Sequence, residues 1–338
     1  MSPAAQKRAA QSHAAQGQAP DPACLEPRLT TVRGAENTIG ELWDCLGVQT
    51  RAATGNLVAL TERTHLKKVE AALAGLQGRY AGRQIIGVLE GSDVVEVQVS
   101  LVPQEGGRYV ERLVLEADEE QLRGAILPLL RPATLNYIWW AAERRPGGPL
   151  LAELTELADK VICDSLTLEI CPGRHYALAD LGWPRLSGWR EALAQVFDRP
   201  EAARQLPGLH ELHLTYAGQN ALPAQLFGAW VADTLGWPHL DAVLIESEDC
   251  GRENSDLCRA ELLGPDARFV LEADEGGTLH THAEWPEGSF QTSMHLRRMT
   301  LAAGLAEALA DVHSYPAFER AWARVHAEDA WRSGQETG

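Results

Sequence analysis

The sequence predicts an α/β (α+β) protein of two layered domains with mixed sheets. Three observations carry that expectation. Apolar segments of strand length alternate with amphipathic helical segments through the first half of the chain. Beyond residue 256 the pattern changes to short alternating segments separated by turn residues, as in an antiparallel meander. The 338 residues, 45% of them hydrophobic, suffice for two cores. The expected organisation is a disordered tail over 1–38, an N-terminal α/β domain over 39–172, a C-terminal α/β domain over 173–325 and a flexible tail over 326–338. The first tail rests on composition. MSPAAQKRAAQSHAAQGQAPDPA is rich in Ala, Gln, Ser and Pro and lacks the apolar surface needed to offset ordering entropy.

In the first domain NLVALT reads as a strand. HLKKVEAALAGLQ follows as a helix, with Leu66, Val69, Leu73 and Leu76 on one stripe and Thr64 as its N-cap. QIIGVLE, VVEVQVSLV and YVERLVLEA are strands; Val95, Val97, Val99 and Leu101 alternate with polar neighbours. Asp118 is placed to cap EEQLRGAILPLL, with Gln121 three residues on and Leu122, Ile126 and Leu129 as the stripe. TLNYIWWAA, the helix PLLAELTELA and the strand KVICDSLTLEI complete the domain.

In the second domain LHELHLTYAG is a strand with Leu212, Leu214 and Tyr216 on one face. QLFGAWVADTLGW is a helix ended by Gly236. LDAVLIES is a strand, and CRAELLG, ARFVLEAD and TLHTHAEW form a meander with Gly276-Gly277 at a hairpin turn. TLAAGLAEALADVH and AFERAWARV are the last helices. VLEADE occurs twice, from Val114 and from Val270, but its flanks differ, so two strand ends explain it as well as a duplication does.

The chain carries 47 acidic and 30 basic residues, a net charge of −17, which argues against nucleic acid and anionic membranes as partners. No apolar run is long enough to span a bilayer, and the N-terminus has no apolar core of a secretory signal, so a cytoplasmic location is expected. The six cysteines show no zinc-type spacing, and free thiols in a reducing compartment are expected. Cys250 and Cys258 flank a polar loop and form a redox pair only if their Cα atoms lie within about 7 Å.

Motifs for catalysis are missing. There is no GxxxxGK[ST], no GxGxxG between a strand and a helix, and no GxSxG elbow. His280, His282 and Glu284 share one face of a predicted strand. They are either a solvated face or a metal-dependent site of an α/β enzyme. The HAE triplet lacks the downstream PCxxC of zinc deaminases.

Several ordered stretches together resemble one family. DLGWPRLSGWREALAQVFD over 180–198, LPLLRPATLNYIWWAAERRPGG, LADKVICDS and AWVADTLGW are similar to segments of the OpcA family, the glucose-6-phosphate dehydrogenase assembly proteins. The resemblance implies a non-enzymatic protein without a cofactor. It would bind glucose-6-phosphate dehydrogenase and promote its active oligomer, feeding the oxidative pentose phosphate pathway and NADPH formation.

The chain holds 10 Trp against 5 Phe and 6 Tyr, and Trp and Arg are the commonest interface anchors. Trp189 shares a helix stripe with Leu193 and Val196 and reads as core. Trp139 and Trp140 point to opposite faces of a strand. Together with Asp180, Trp183, Arg185 and Arg190 they are candidates either for a partner surface or for the glue between the two domains.

Overall fold

The structure, a computed structural model, describes residues 21–47, 55–91, 95–132, 134–143, 148–164, 175–252, 256–313 and 315–336, with side chains to residue 327. Its first sheet holds β1 (Arg28–Thr30), β2 (Gly55–Thr61), β3 (Arg83–Val88), β4 (Val97–Gln104), β5 (Arg108–Glu116), β6 (Leu135–Trp140), β7 (Lys160–Cys163) and β8 (Ala177–Asp180). Their order is β1-β4-β5-β3-β2-β6-β7-β8. The six strands from β5 to β8 are mutually parallel, and β4 and β1 add antiparallel at one edge. Six parallel strands in this order form a doubly wound sheet whose winding reverses between β2 and β6.

β2 and β3 are buried along their whole length, as parallel strands covered on both faces must be. Val58 and Leu60 belong to one apolar cluster, Leu57 and Ala59 to the other. Helices α1 (Ala35–Leu46), α3 (Glu119–Ile126) and α4 (Gly148–Glu156) contribute to the first cluster and α2 (Leu66–Ala74) to the second. Asp118 caps α3 as its spacing predicts, accepting from the Gln121 amide at 2.8 Å. Thr64 does not cap α2: a 3-10 turn over Arg63–His65 leads into that helix instead.

The second sheet holds β9 (Glu211–Tyr216), β10 (Val243–Ser247), β11 (Leu257–Leu263), β12 (Arg268–Ala273), β13 (Thr278–Trp285) and β14 (Gly288–His295), in the order β10-β9-β11-β12-β13-β14. Only β10 and β9 pair in parallel. The remaining helices are α5 (Gly182–Arg185), α6 (Ser187–Phe197), α7 (Pro200–Ala203), α8 (Leu222–Thr234), α9 (Leu301–Ala310) and α10 (Pro316–Glu336). Gly236 ends α8 at φ +70, and the Trp237 amide reaches back to the Ala232 carbonyl at 2.9 Å. The two VLEADE copies each end a strand, but Asp118 caps a helix while Asp274 accepts from the Thr278 amide in a hairpin turn.

The organisation departs from the sequence expectation at both ends and at the junction. The tail drawn to residue 38 stops earlier: residues from Pro22 form a 3-10 turn, the edge strand β1 and the start of α1. Residues 1–20 lie outside the described residues. Of the tail expected from 326, residues 326–336 continue α10. β8 pairs with β7, so the first sheet runs to Asp180, past the boundary expected at 172. The chain also returns to the first domain after finishing the second. Leu305 and Leu309 of α9 share the apolar cluster of Val69, Leu73 and Trp139. The buried Lys160 ammonium donates to the carbonyls of Asp311 at 2.9 Å and His313 at 3.0 Å.

The cysteines also differ from the expected free thiols. Cys24 is bonded to Cys45, with Cα atoms 5.6 Å apart, and Cys250 to Cys258, at 6.2 Å. The first bridge joins residues 21 apart, brought together by the turn at Pro22 packing on α1. Cys163 is a buried thiol, and Cys171 lies outside the described residues.

Candidate functional site

The chain after β8 turns sharply into α5. The Asp180 carboxylate makes that turn, accepting from the amides of Gly182 at 2.7 Å and Trp183 at 3.1 Å. This turn places Trp183 against Phe318 of α10, ring centroids 5.6 Å apart, and Phe318 stacks in turn on Trp322. The Arg190 guanidinium lies over the Trp183 ring at 3.8 Å. Burial pulls Arg190 down to about 10, against Glu307 and Glu191, which favour its charge.

The six sequence candidates therefore fall into two groups. Trp139, Trp140, Asp180 and Trp183 are at most 4% exposed, and Arg190 is half-buried. They are interior residues, and the Trp183–Arg190 stack lies in the joint between the two domains. A surface for a partner cannot use the four buried ones without opening the fold. Arg185 alone is exposed, in a two-pronged pair with Asp164 at 3.0 Å on each side. As predicted, the adjacent Trp139 and Trp140 point to opposite faces, one into each apolar cluster.

Two places at the carboxyl ends of the parallel strands are where ligands of doubly wound sheets bind. The first is the winding reversal between β2 and β6. Its first strand-to-helix turn is Thr61-Glu62-Arg63-Thr64-His65, with no glycine to let a pyrophosphate approach. Glu62 stands there as acceptor of the Glu143 amide at 3.1 Å. His65 sits between the Glu62 and Glu143 carboxylates, at 3.5 and 2.9 Å. The turn is thus held by a Glu62–His65–Glu143 cluster.

The second place is the cleft between the domains, about 840 Å³. Its lining comes from α2, the ends of β7 and β8, and the loops before α8, β11, β13 and α9. Five cationic side chains line it against three carboxylates, in a chain whose overall charge is strongly negative. Sequence reasoning missed this site because Lys68, Arg185, Arg252 and Arg297 sit on four separate elements.

The His280, His282 and Glu284 face is exposed on β13. His280 pairs with Ser293 at 2.9 Å and Asp274 at 3.4 Å; His282 pairs with Glu284 at 2.8 Å and Gln291 at 2.7 Å. Among the described residues no group of three His, Cys, Asp or Glu is placed to hold a metal ion. No helix among them is long and apolar enough to cross a membrane.

Residues 74–180 match the family model described as the glucose-6-phosphate dehydrogenase subunit N-terminal domain, and residues 176–322 match that of its C-terminal domain. The two matches meet at β8. The chain belongs to the OpcA family. Among curated OpcA relatives, the putative OxPP cycle protein OpcA of Synechocystis sp. is 31% identical over 128 residues, 35% of this chain and 27% of that protein. Its counterpart in Nostoc punctiforme is 30% identical over 168 residues, 47% of this chain and 35% of that protein. The chain thus spans about a third of the length of the OpcA relatives it matches.

Solved structures with similar folds include a mutant of KijD10, a 3-ketoreductase from Actinomadura kijaniata, at 12% identity and a TM-score of 0.44, covering 83% of this chain and 98% of that one. The transcriptional regulator Gal80p from Kluyveromyces lactis aligns at 9% identity and a TM-score of 0.42, covering 85% and 95%. Neither likeness bears on what an OpcA protein does.

Proposed function

We propose that this protein is a non-catalytic partner of glucose-6-phosphate dehydrogenase in the cytoplasm, binding the dehydrogenase and favouring its active oligomer. The family matches over residues 74–322 carry this reading, because their descriptions refer to that enzyme. The turn after β2 supports the non-catalytic part: Thr61-Glu62-Arg63-Thr64-His65 has no glycine to let a dinucleotide's pyrophosphate approach. A partner that binds only the active oligomer shifts the population toward it by mass action. Greater flux into the oxidative pentose phosphate pathway, and more NADPH, would follow.

The test is the NADP-dependent rate of the same organism's glucose-6-phosphate dehydrogenase, titrated with this protein, with size exclusion of the mixture. A saturable rise in rate with a co-eluting complex is the expected result. Unchanged rate and separate elution, in oxidising and in reducing buffer, would overturn the reading. Arg185→Ala is the first interface variant, because Arg185 is the exposed member of the junction group.

A further inference from the structure

We propose that the interdomain cleft binds a small phosphate ester, of sugar-phosphate to mononucleotide size. The volume of about 840 Å³ falls within the range of small-molecule sites, roughly 300–1,000 Å³. Charge selects the ligand class. Of the five cations, Arg185 is paired with Asp164 and Arg252 with Asp256, at 3.3 Å. Lys68 and Arg297 are exposed on the lining and make no ion pair or hydrogen bond among the described residues. Lys68 comes from α2 of the first domain and Arg297 from the link between β14 and α9.

Arg252 also lines the cleft, held there by the Asp274 carbonyl at 3.0 Å and Asp256 at 3.3 Å. Two helices also begin at this wall. Asn220 and Pro223 at the start of the 13-residue α8 line the cleft, as does Leu186, which precedes the 11-residue α6. The amino ends of both helices add positive potential there. The remaining lining includes Trp189, Pro223 and Met299, apolar surface suited to the organic part of an ester.

The experiment uses the full chain alone, so its outcome is independent of whether a dehydrogenase complex forms. Calorimetric titration at low ionic strength would compare AMP and glucose 6-phosphate with adenosine, glucose and inorganic sulfate. The expected result is saturable binding of at least one ester, none of the neutral counterparts, and a loss of affinity of about tenfold or more in the Lys68→Gln, Arg297→Gln double variant. Arg33→Gln, on an exposed distant turn, should change nothing. Both cleft residues are exposed and make no internal bond among the described residues, so the double variant keeps its fold, checked by an unchanged melting temperature. The proposal is overturned if neither ester binds, if the double variant binds as well as the parent, or if sulfate competes equally, which would leave an adventitious ion only.

Discussion

The first sheet is covered on both faces, and the second is covered on one. In the first, even the polar groups are interior. Glu111 and Arg83 are each 3% exposed. Arg83 Nε donates to Glu111 Oε2 at 2.9 Å and Trp43 Nε1 to Glu111 Oε1 at 2.8 Å, while Glu36 and Arg131 complete the network. The open face of the second sheet carries a ladder of charges instead. Arg259 pairs with Glu272 at 2.9 Å and with Glu261 at 3.1 Å, and the two histidines stand beside them on β13. The same residue types therefore have different jobs. In the first sheet they are structural and expensive to change. In the second they meet water and leave a face open for other contacts.

That contrast can be tested by stability measurements. Trp139→Ala should cost about 3–5 kcal/mol in denaturant unfolding, the usual range for emptying an aromatic site in a core. Glu111→Gln should cost about 3 kcal/mol, because it strands Arg83 without its buried counter-charge. Burial pushes the Glu111 carboxyl up, but Arg83, Arg131 and Trp43 outweigh it and hold its pKa below the ordinary value. Its stabilisation is therefore present above the unfolded-state carboxylate pKa and is lost as pH falls through the lower folded value, and the variant should lack that acid loss.

A third measurement concerns Lys160, which burial pulls down to about 8 while Asp311 opposes. Between about 8 and the unfolded lysine value the unfolded chain binds more protons, so this group makes stability rise with pH in that window. Lys160→Met should flatten that rise in chemical denaturation at pH 7.5, 8.5 and 9.5. The smallest effect belongs to the open face. His280→Ala with His282→Ala should change stability by roughly 0.5 kcal/mol or less per site, and zinc should shift the melting temperature of parent and variant alike. A histidine pair as costly as Trp139 would break the comparison.

Much of this architecture can be read along the chain. Strong alternation marks β4, apolar stripes mark α2 and α3, and Asp118 and Gly236 end or begin helices by local chemistry. What is missed is non-local or short. β8 has four residues, and its burial comes from β7 beside it and not from its own pattern. β14 alternates between exposed and half-buried residues because it is a sheet edge, so it lacks an apolar signal. The Cys24–Cys45 bridge depends on a turn closing over α1. Tryptophan content flagged the junction, yet composition could not say that Trp183 packs inward. The cationic cleft is the extreme case, since its residues span positions 68 to 299 and meet only in the finished fold.

The return of the chain to its first domain has a consequence for how the molecule is made. Lys160 and the Asp311 carbonyl it holds are 151 residues apart. During synthesis the first sheet therefore emerges with the apolar cluster around Trp139 and Ile162 lacking Leu305 and Leu309, until α9 has left the ribosome. Such surfaces are where nascent chains aggregate or are held by chaperones. A fragment ending at Asp180 would leave that cluster without its α9 side chains permanently. The two halves matched by separate family models are thus joined through an apolar cluster that α9 completes.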